Sequence, residues 1–133
     1  MTFSFEKLPE LQLFTNKKSE NTISYRLQEP KCVNEATQTL VFLHGFNGSS
    51  KSWYYQFIHF DTHKIVSIDA PGFGASTIHQ GGMPEFANEV EQLLEHLGIT
   101  AAIVVGHSMG GMLAQLLAPR LSNKCSGLVL SCT

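Results

Sequence analysis

Gly106-His107-Ser108-Met109-Gly110-Gly111 constrains the fold of this chain more than any other stretch. An unbroken apolar run over residues 101–105 leads straight into it. An apolar helical pattern over 109–117, broken near Pro119, leads straight out. A run without polar alternation reads as a strand buried on both faces. So tight a reversal from strand to helix strains the backbone at Ser108. It also leaves no room for side chains where the helix presses on the strand, which suits Gly106 and Gly110. The serine hydroxyl then stands at the carboxyl end of a strand and the N-terminus of a helix. Partial positive charge there favours an anion forming nearby.

The rest of the chain repeats the alternation. Residues 10–15 and 21–28 read as two short strands joined by a turn at Asn16-Lys17-Lys18-Ser19. Thr39–Leu43 is a second fully apolar strand, ending at His44-Gly45. Residues 49–57 suit a short helix capped by Ser49, and residues 64–69 a strand closed by Ala70-Pro71-Gly72. Over 85–97, Phe86, Val90, Leu93, Leu94 and Leu97 fall on one helical face, with Pro84 in the first turn and Gly98 at the end. Residues 128–130 read as a last strand. These elements predict a single α/β domain over 1–133. Its mostly parallel sheet has about six strands, an N-terminal antiparallel hairpin, flanking helices and right-handed crossovers.

Composition narrows the function classes. Hydrophobic residues at 43% supply a core and exclude disorder. A net charge of -2 without a basic stripe argues against nucleic acid as a partner. No apolar run is long enough for a membrane span. The opening MTFSFEKLPE lacks the apolar region of a signal peptide, so a cytoplasmic location is expected. Cys32, Cys125 and Cys132 have no metal spacing and are odd in number, and are expected to be free thiols and small buried apolar groups.

Three motifs in order carry a resemblance. His44-Gly45-Phe46-Asn47-Gly48-Ser49 follows the third strand, Asp69-Ala70-Pro71-Gly72-Phe73-Gly74-Ala75-Ser76 the fourth, and the Ser108 turn the fifth. Together they resemble the N-terminal part of an α/β-hydrolase-fold serine hydrolase of the AB hydrolase-1 type, over roughly residues 10–133 and truncated after the sixth strand. The resemblance implies that Ser108 is the nucleophile on a nucleophile elbow and that the backbone N–H groups of Met109 and Phe46 form the oxyanion hole. It gives supporting places to His44, Gly45, Gly106, His107 and Gly110, with His44 bracing the loop. It implies a small ester-like substrate and no cofactor. Residues 106–117 with 128–133 look like the esterase, enol-lactonase and non-haem haloperoxidase branch. Residues 69–74 look more like the carbon–carbon hydrolases, so the substrate stays open. A serine nucleophile argues against the epoxide hydrolases and dehalogenases, which place Asp there.

The family's order is Ser, then Asp or Glu, then His. No Asp, Glu or His follows Ser108 in this sequence. The triad acid and His are therefore expected to come from a complementing C-terminal segment, and the 133 residues alone to be inactive. The alternative is a catalytically inactive fragment or a partner-binding half-domain. Blander readings stand beside these. Ser108 could simply cap a helix, and Asp69 could simply hold the turn at Pro71-Gly72. His59, His63, His79 and His96 have no motif support, and no metal site is expected. Gly72-Phe73-Gly74-Ala75-Ser76 lacks the lysine of a phosphate loop. Trp53, Tyr54 and Tyr55 would pack the first helix on the sheet.

Overall fold

The computed structural model describes residues 4–78 and 81–133. His79 and residues 1–3 of the opening segment lie outside the described residues. The alternating apolar runs form a six-stranded sheet in the order β1-β2-β4-β3-β5-β6. β1 (Leu11–Thr15) and β2 (Thr22–Gln28) make the expected hairpin, with Leu11 opposite Arg26 and Thr15 opposite Thr22. β2 runs antiparallel to β4 (Lys64–Ile68). From there β4, β3 (Thr39–Leu43), β5 (Ala102–His107) and β6 (Cys125–Ser131) are all parallel.

The period of two along each strand sorts the core into two layers. Val41, Leu43, Val66, Ile68 and Val104 belong to the layer under α2 (Met83–His96) and α3 (Met109–Leu121). Leu40, Phe42 and Ile65 belong to the layer under α1 (Tyr54–His59). Val41, Val66 and Val104 have no exposed surface. Burial of such a side chain contributes about 1.5–3 kcal/mol, which is why the central strands read as unbroken apolar runs. The helical face over 85–97 is core as expected: Phe86, Val90, Leu93 and Leu94 are buried and Leu97 packs against them. Tyr54 is buried and Trp53 stacks on Phe42 at 4.5 Å between ring centres, whereas Tyr55 is mostly exposed.

Several boundaries differ from expectation, for local reasons. Ser49 does cap, accepting from the Lys51 N–H at 3.1 Å, but it caps a 3-10 turn (Ser50–Trp53) before α1 begins. α2 starts at Met83, because the Glu85 carboxylate accepts from the Gly82 N–H at 2.8 Å and closes the first turn. α3 does not break near Pro119 but continues to Leu121. A proline so close to the end forfeits one hydrogen bond without stopping the helix. β6 spans seven residues, because pairing with β5 draws in Cys125, Ser126 and Gly127 across an irregularity at Ala102/Ile103. The cysteines correct the expectation of buried thiols: all three are free, but Cys32 and Cys132 are exposed and Cys125 is half-buried. Among the described residues no helix is long and apolar enough to cross a membrane.

Candidate active site

Ser108 sits between β5 and α3 with φ 53 and ψ -116. That left-handed conformation costs a non-glycine residue about 1–3 kcal/mol and persists only where the surroundings hold it. Ser131 at the end of β6 helps, accepting the Ser108 N–H at 2.9 Å. The Ser108 side chain makes no capping hydrogen bond to α3, so the helix-capping reading fails. The flanking glycines are required by space. A Cβ on Gly106 would run into the Gly110 carbonyl, and one on Gly110 into the Leu43 carbonyl.

The loop after β3 is pressed against this turn. A Cβ on Gly45 would lie 3.2 Å from the His107 ring and 3.3 Å from Ser108 Cβ. The Gly45 carbonyl is held twice, by the Gly48 N–H at 2.9 Å and by His44 Nδ1 at 2.7 Å. Fixing that carbonyl fixes the plane of the Gly45–Phe46 peptide and so the direction of the Phe46 N–H. Neither the Phe46 nor the Met109 N–H meets a protein acceptor among the described residues.

His44 is buried, and its two contacts dictate its state. The Gly45 carbonyl can only accept, so Nδ1 carries the proton. The Ala70 N–H donates to Nε2 at 2.9 Å, so Nε2 carries the lone pair. This neutral tautomer agrees with a pKa held below the ordinary value, chiefly by burial. The Gly45 hydrogen bond and the Asp69 charge oppose that shift. The sign for stability follows. The unfolded chain takes up this proton near pH 6.5, before the folded protein does. The contribution is therefore complete above pH 6.5 and is lost as pH falls towards the lower folded value. Melting temperature measured from pH 7.5 to 5 is expected to fall less steeply for His44→Gln than for the parent. Equal slopes would remove His44 as the titrating group.

Asp69 does more than hold the turn after β4. It is 1% exposed, and its carboxylate accepts from the Ser50 N–H at 2.6 Å, the Ser50 hydroxyl at 3.1 Å and the Ser24 hydroxyl at 2.6 Å. Ser76 donates to the Asp69 carbonyl at 2.7 Å and accepts from the Ser24 N–H at 2.9 Å. Asp69 thus ties β2 and the segment after the His44–Gly48 loop together through its carboxylate, and holds the end of the 70–76 loop through its carbonyl. Sequence reasoning missed this cluster. Its signal was a serine in each of those segments, Ser24, Ser50 and Ser76, which only the sheet order brings together.

Two cavities lie at the Ser108 turn, one lined by Met109 and Gly110 and the other by Ser108. One, about 320 Å³, is walled by Leu43, Ile68, Met83, Phe86 and Leu113, with Phe46 and Met109 at the Ser108 side. The other, about 470 Å³, includes Ser108 itself with Asn47, Ser52, Trp53, His107 and Ser131. The buried Trp53 indole N–H beside it has no protein partner. Ser108, Met109, Phe46, His44, Gly45, Gly106, His107 and Gly110 are therefore gathered in one place. The remaining described histidines are not. His63 accepts from the Gln38 N–H at 3.0 Å, His96 packs on Phe14, and His59 ends α1. His107 Nδ1 faces Ser131 Oγ at 3.5 Å rather than Ser108.

Known proteins share this fold. A family model described as alpha/beta hydrolase fold matches residues 38–133. The dihydrolipoyllysine-residue acetyltransferase component of the acetoin cleaving system of Cupriavidus necator is 38% identical over 84 residues, 61% of this chain and 22% of that protein. An uncharacterized hydrolase of Bacillus subtilis is 34% identical over 104 residues, 75% of this chain and 38% of that protein. A solved structure of a probable hydrolytic enzyme from Pseudomonas aeruginosa superposes with a TM-score of 0.81 at 29% identity. It covers 93% of this chain and 41% of that one. The chain spans well under half the length of these relatives.

Proposed function

The chain belongs to the alpha/beta hydrolase fold family, and on that footing we propose that it carries the nucleophile half of a serine hydrolase. Its substrates are small carboxylic esters or related acyl and carbon–carbon compounds. Ser108 Oγ forms a bond to the acyl carbon and gives up its proton to a base. The bond to the leaving alcohol breaks, and the alcohol departs with that proton. Water then cleaves the acyl–Oγ bond and releases the acid. The Met109 and Phe46 N–H groups receive the oxyanion, and the loss of one such donor costs about 3 to 4 kcal/mol. His44 and Gly45 set the Phe46 peptide, while Gly106 and Gly110 set the turn.

The observation that carries this reading is Ser108 itself: a strained backbone, a hydroxyl that caps no helix, and a place in the lining of a cavity. Residues 1–133 act as one domain unit. Acid and base come from a complementing segment outside these residues: among the described residues neither cavity is lined by a carboxylate, both nitrogens of His44 are engaged, and His107 Nδ1 faces Ser131 Oγ rather than Ser108. The Cupriavidus relative is named for acyl transfer, a chemistry of the same class. The test is a fluorophosphonate probe applied to the protein as it occurs in its source. Labelling is expected on the Ser108 peptide, absent in Ser108→Ala, and weak or absent for the 133 residues alone. An unlabelled Ser108, in an extract whose other serine hydrolases react, would replace this reading with that of a non-catalytic, partner-binding half-domain.

A further inference from the structure

We infer that β1 is a contact surface for a second copy of this chain, and that two β1 strands pair antiparallel about Leu13 to join two sheets into one. The inference does not depend on Ser108. β1 closes one end of the strand order, with β2 on one side and, among the described residues, no strand on the other. Hydrogen-bond directions identify the main-chain groups at its open edge. Asn16 donates its N–H to the Asn21 carbonyl at 2.9 Å, so Phe14 and Gln12, two and four residues back, also turn their main-chain groups to β2. β2 agrees. Ser24, opposite Leu13, sends its N–H to Ser76 at 2.9 Å and accepts the Asp69 N–H at 3.0 Å, both away from β1. The N–H and C=O groups of Leu11, Leu13 and Thr15 therefore point outward. Edge strands are commonly blunted by lysine, proline, an inward charge or a bulge. The five residues of β1, Leu11-Gln12-Leu13-Phe14-Thr15, contain no charge and no proline, and their register with β2 is unbroken.

The strand and its flanks are complementary to themselves. Leu13 is 61% exposed and Leu11 39%, and the alternation of a strand puts both on one face. Antiparallel pairing about Leu13 sets Leu13 against its own copy, Leu11 against Thr15 and Gln12 against Phe14, so each face continues across the contact. Each outward residue exchanges both main-chain hydrogen bonds with the residue facing it. Glu10 precedes the strand and Lys17 and Lys18 follow it, so the acid of each copy comes beside the lysines of the other. A parallel arrangement would set Lys against Lys. Pro9, with no N–H to give, ends the ladder. A groove of about 580 Å³ along β1, lined by Leu13, Phe14 and His96, leaves room for the second strand. A contact only five residues long is at the small end of specific interfaces, so the dimer exchanges with the monomer.

Sedimentation equilibrium of the 133-residue chain carrying Val129→Lys tests the inference. That substitution charges β6, the strand at the other end of the sheet, and so removes association through β6 from the measurement. The average mass is expected to rise with concentration from one chain towards two and to stop there. Leu13→Lys and Leu13→Pro are each expected to raise the dissociation constant by about tenfold or more. Neither should move the melting temperature, because the Leu13 side chain is exposed and its N–H faces away from β2. Glu10→Lys should weaken the dimer, and adding Lys17→Glu with Lys18→Glu should restore it. A chain that stays monomeric at every concentration, a mass that climbs past two chains, or a dimer unmoved by both Leu13 variants would each overturn the inference. Probe labelling of Ser108 decides the catalytic reading separately.

Discussion

Gly110→Ala is expected to destabilise the protein by about 3 kcal/mol or more, lowering the melting temperature by roughly 10 °C. The added methyl would occupy the place of the Leu43 carbonyl and stand 2.7 Å from that of His44. Both obstacles are backbone atoms at the end of β3, the strand hydrogen-bonded to β4 and β5 on either side. No rotamer change can relieve them, so α3 must lift away from the sheet, carrying Ser108 and Met109 with it. Gly127→Ala is the matched control. Its nearest neighbour is a carbon of Ile103 at 3.4 Å, an ordinary contact, and a change within about 1 kcal/mol is expected. Thermal melts of the two variants side by side test the argument. Equal losses would show that the tight approach of α3 to β3 is not what makes glycine necessary.

Asp69→Ala is expected to cost about 3–5 kcal/mol in denaturant unfolding. The figure is large because removal strands three donors in a place water does not reach: the Ser50 N–H, the Ser50 hydroxyl and the Ser24 hydroxyl. Asp69→Asn keeps one acceptor oxygen but sets an NH2 group against the same donors, so an intermediate loss is expected. The variant should also blunt probe labelling at Ser108, because Ser50 follows the loop that presents the Phe46 N–H. A loss under 1 kcal/mol for Asp69→Ala would mean that the cluster merely fills space.

The legible parts of the molecule were those set by local pattern. The unbroken apolar runs of β3 and β5 announced strands buried on both faces. The spacing of Phe86, Val90, Leu93 and Leu94 announced the buried face of α2. The two glycines around Ser108 announced a turn too tight for side chains, and their surroundings are as crowded as that spacing implied. What stayed hidden depends on partners distant in sequence. Asp69 reads as a turn residue until β2 is laid beside β4, which brings Ser24 within 2.6 Å. Glu89 is a charge within α2 that the helical pattern left without a role. In the fold it is 4% exposed and accepts from Asn16 at 3.1 Å and Asn21 at 3.4 Å, pinning the hairpin turn to the helix. Cys125, Ser126 and Gly127 have little strand preference of their own and are drawn into β6 by the neighbouring strand.

The strand order also bears on how the protein is made. On the ribosome, β1 and β2 can pair as soon as both have emerged. β3 cannot be completed so early, because its neighbours β4 and β5 come later and lie on opposite sides of it. Leu43 precedes His107, the last residue of β5, by 64 positions, which at 5–20 residues per second is about 3–13 s of synthesis. During that interval the most apolar strand of the molecule lacks one edge partner, and α3, which covers one of its faces, has not been made. Nascent chains stalled before residue 102 should therefore engage chaperones that bind extended apolar segments, and chains released past the elbow should not.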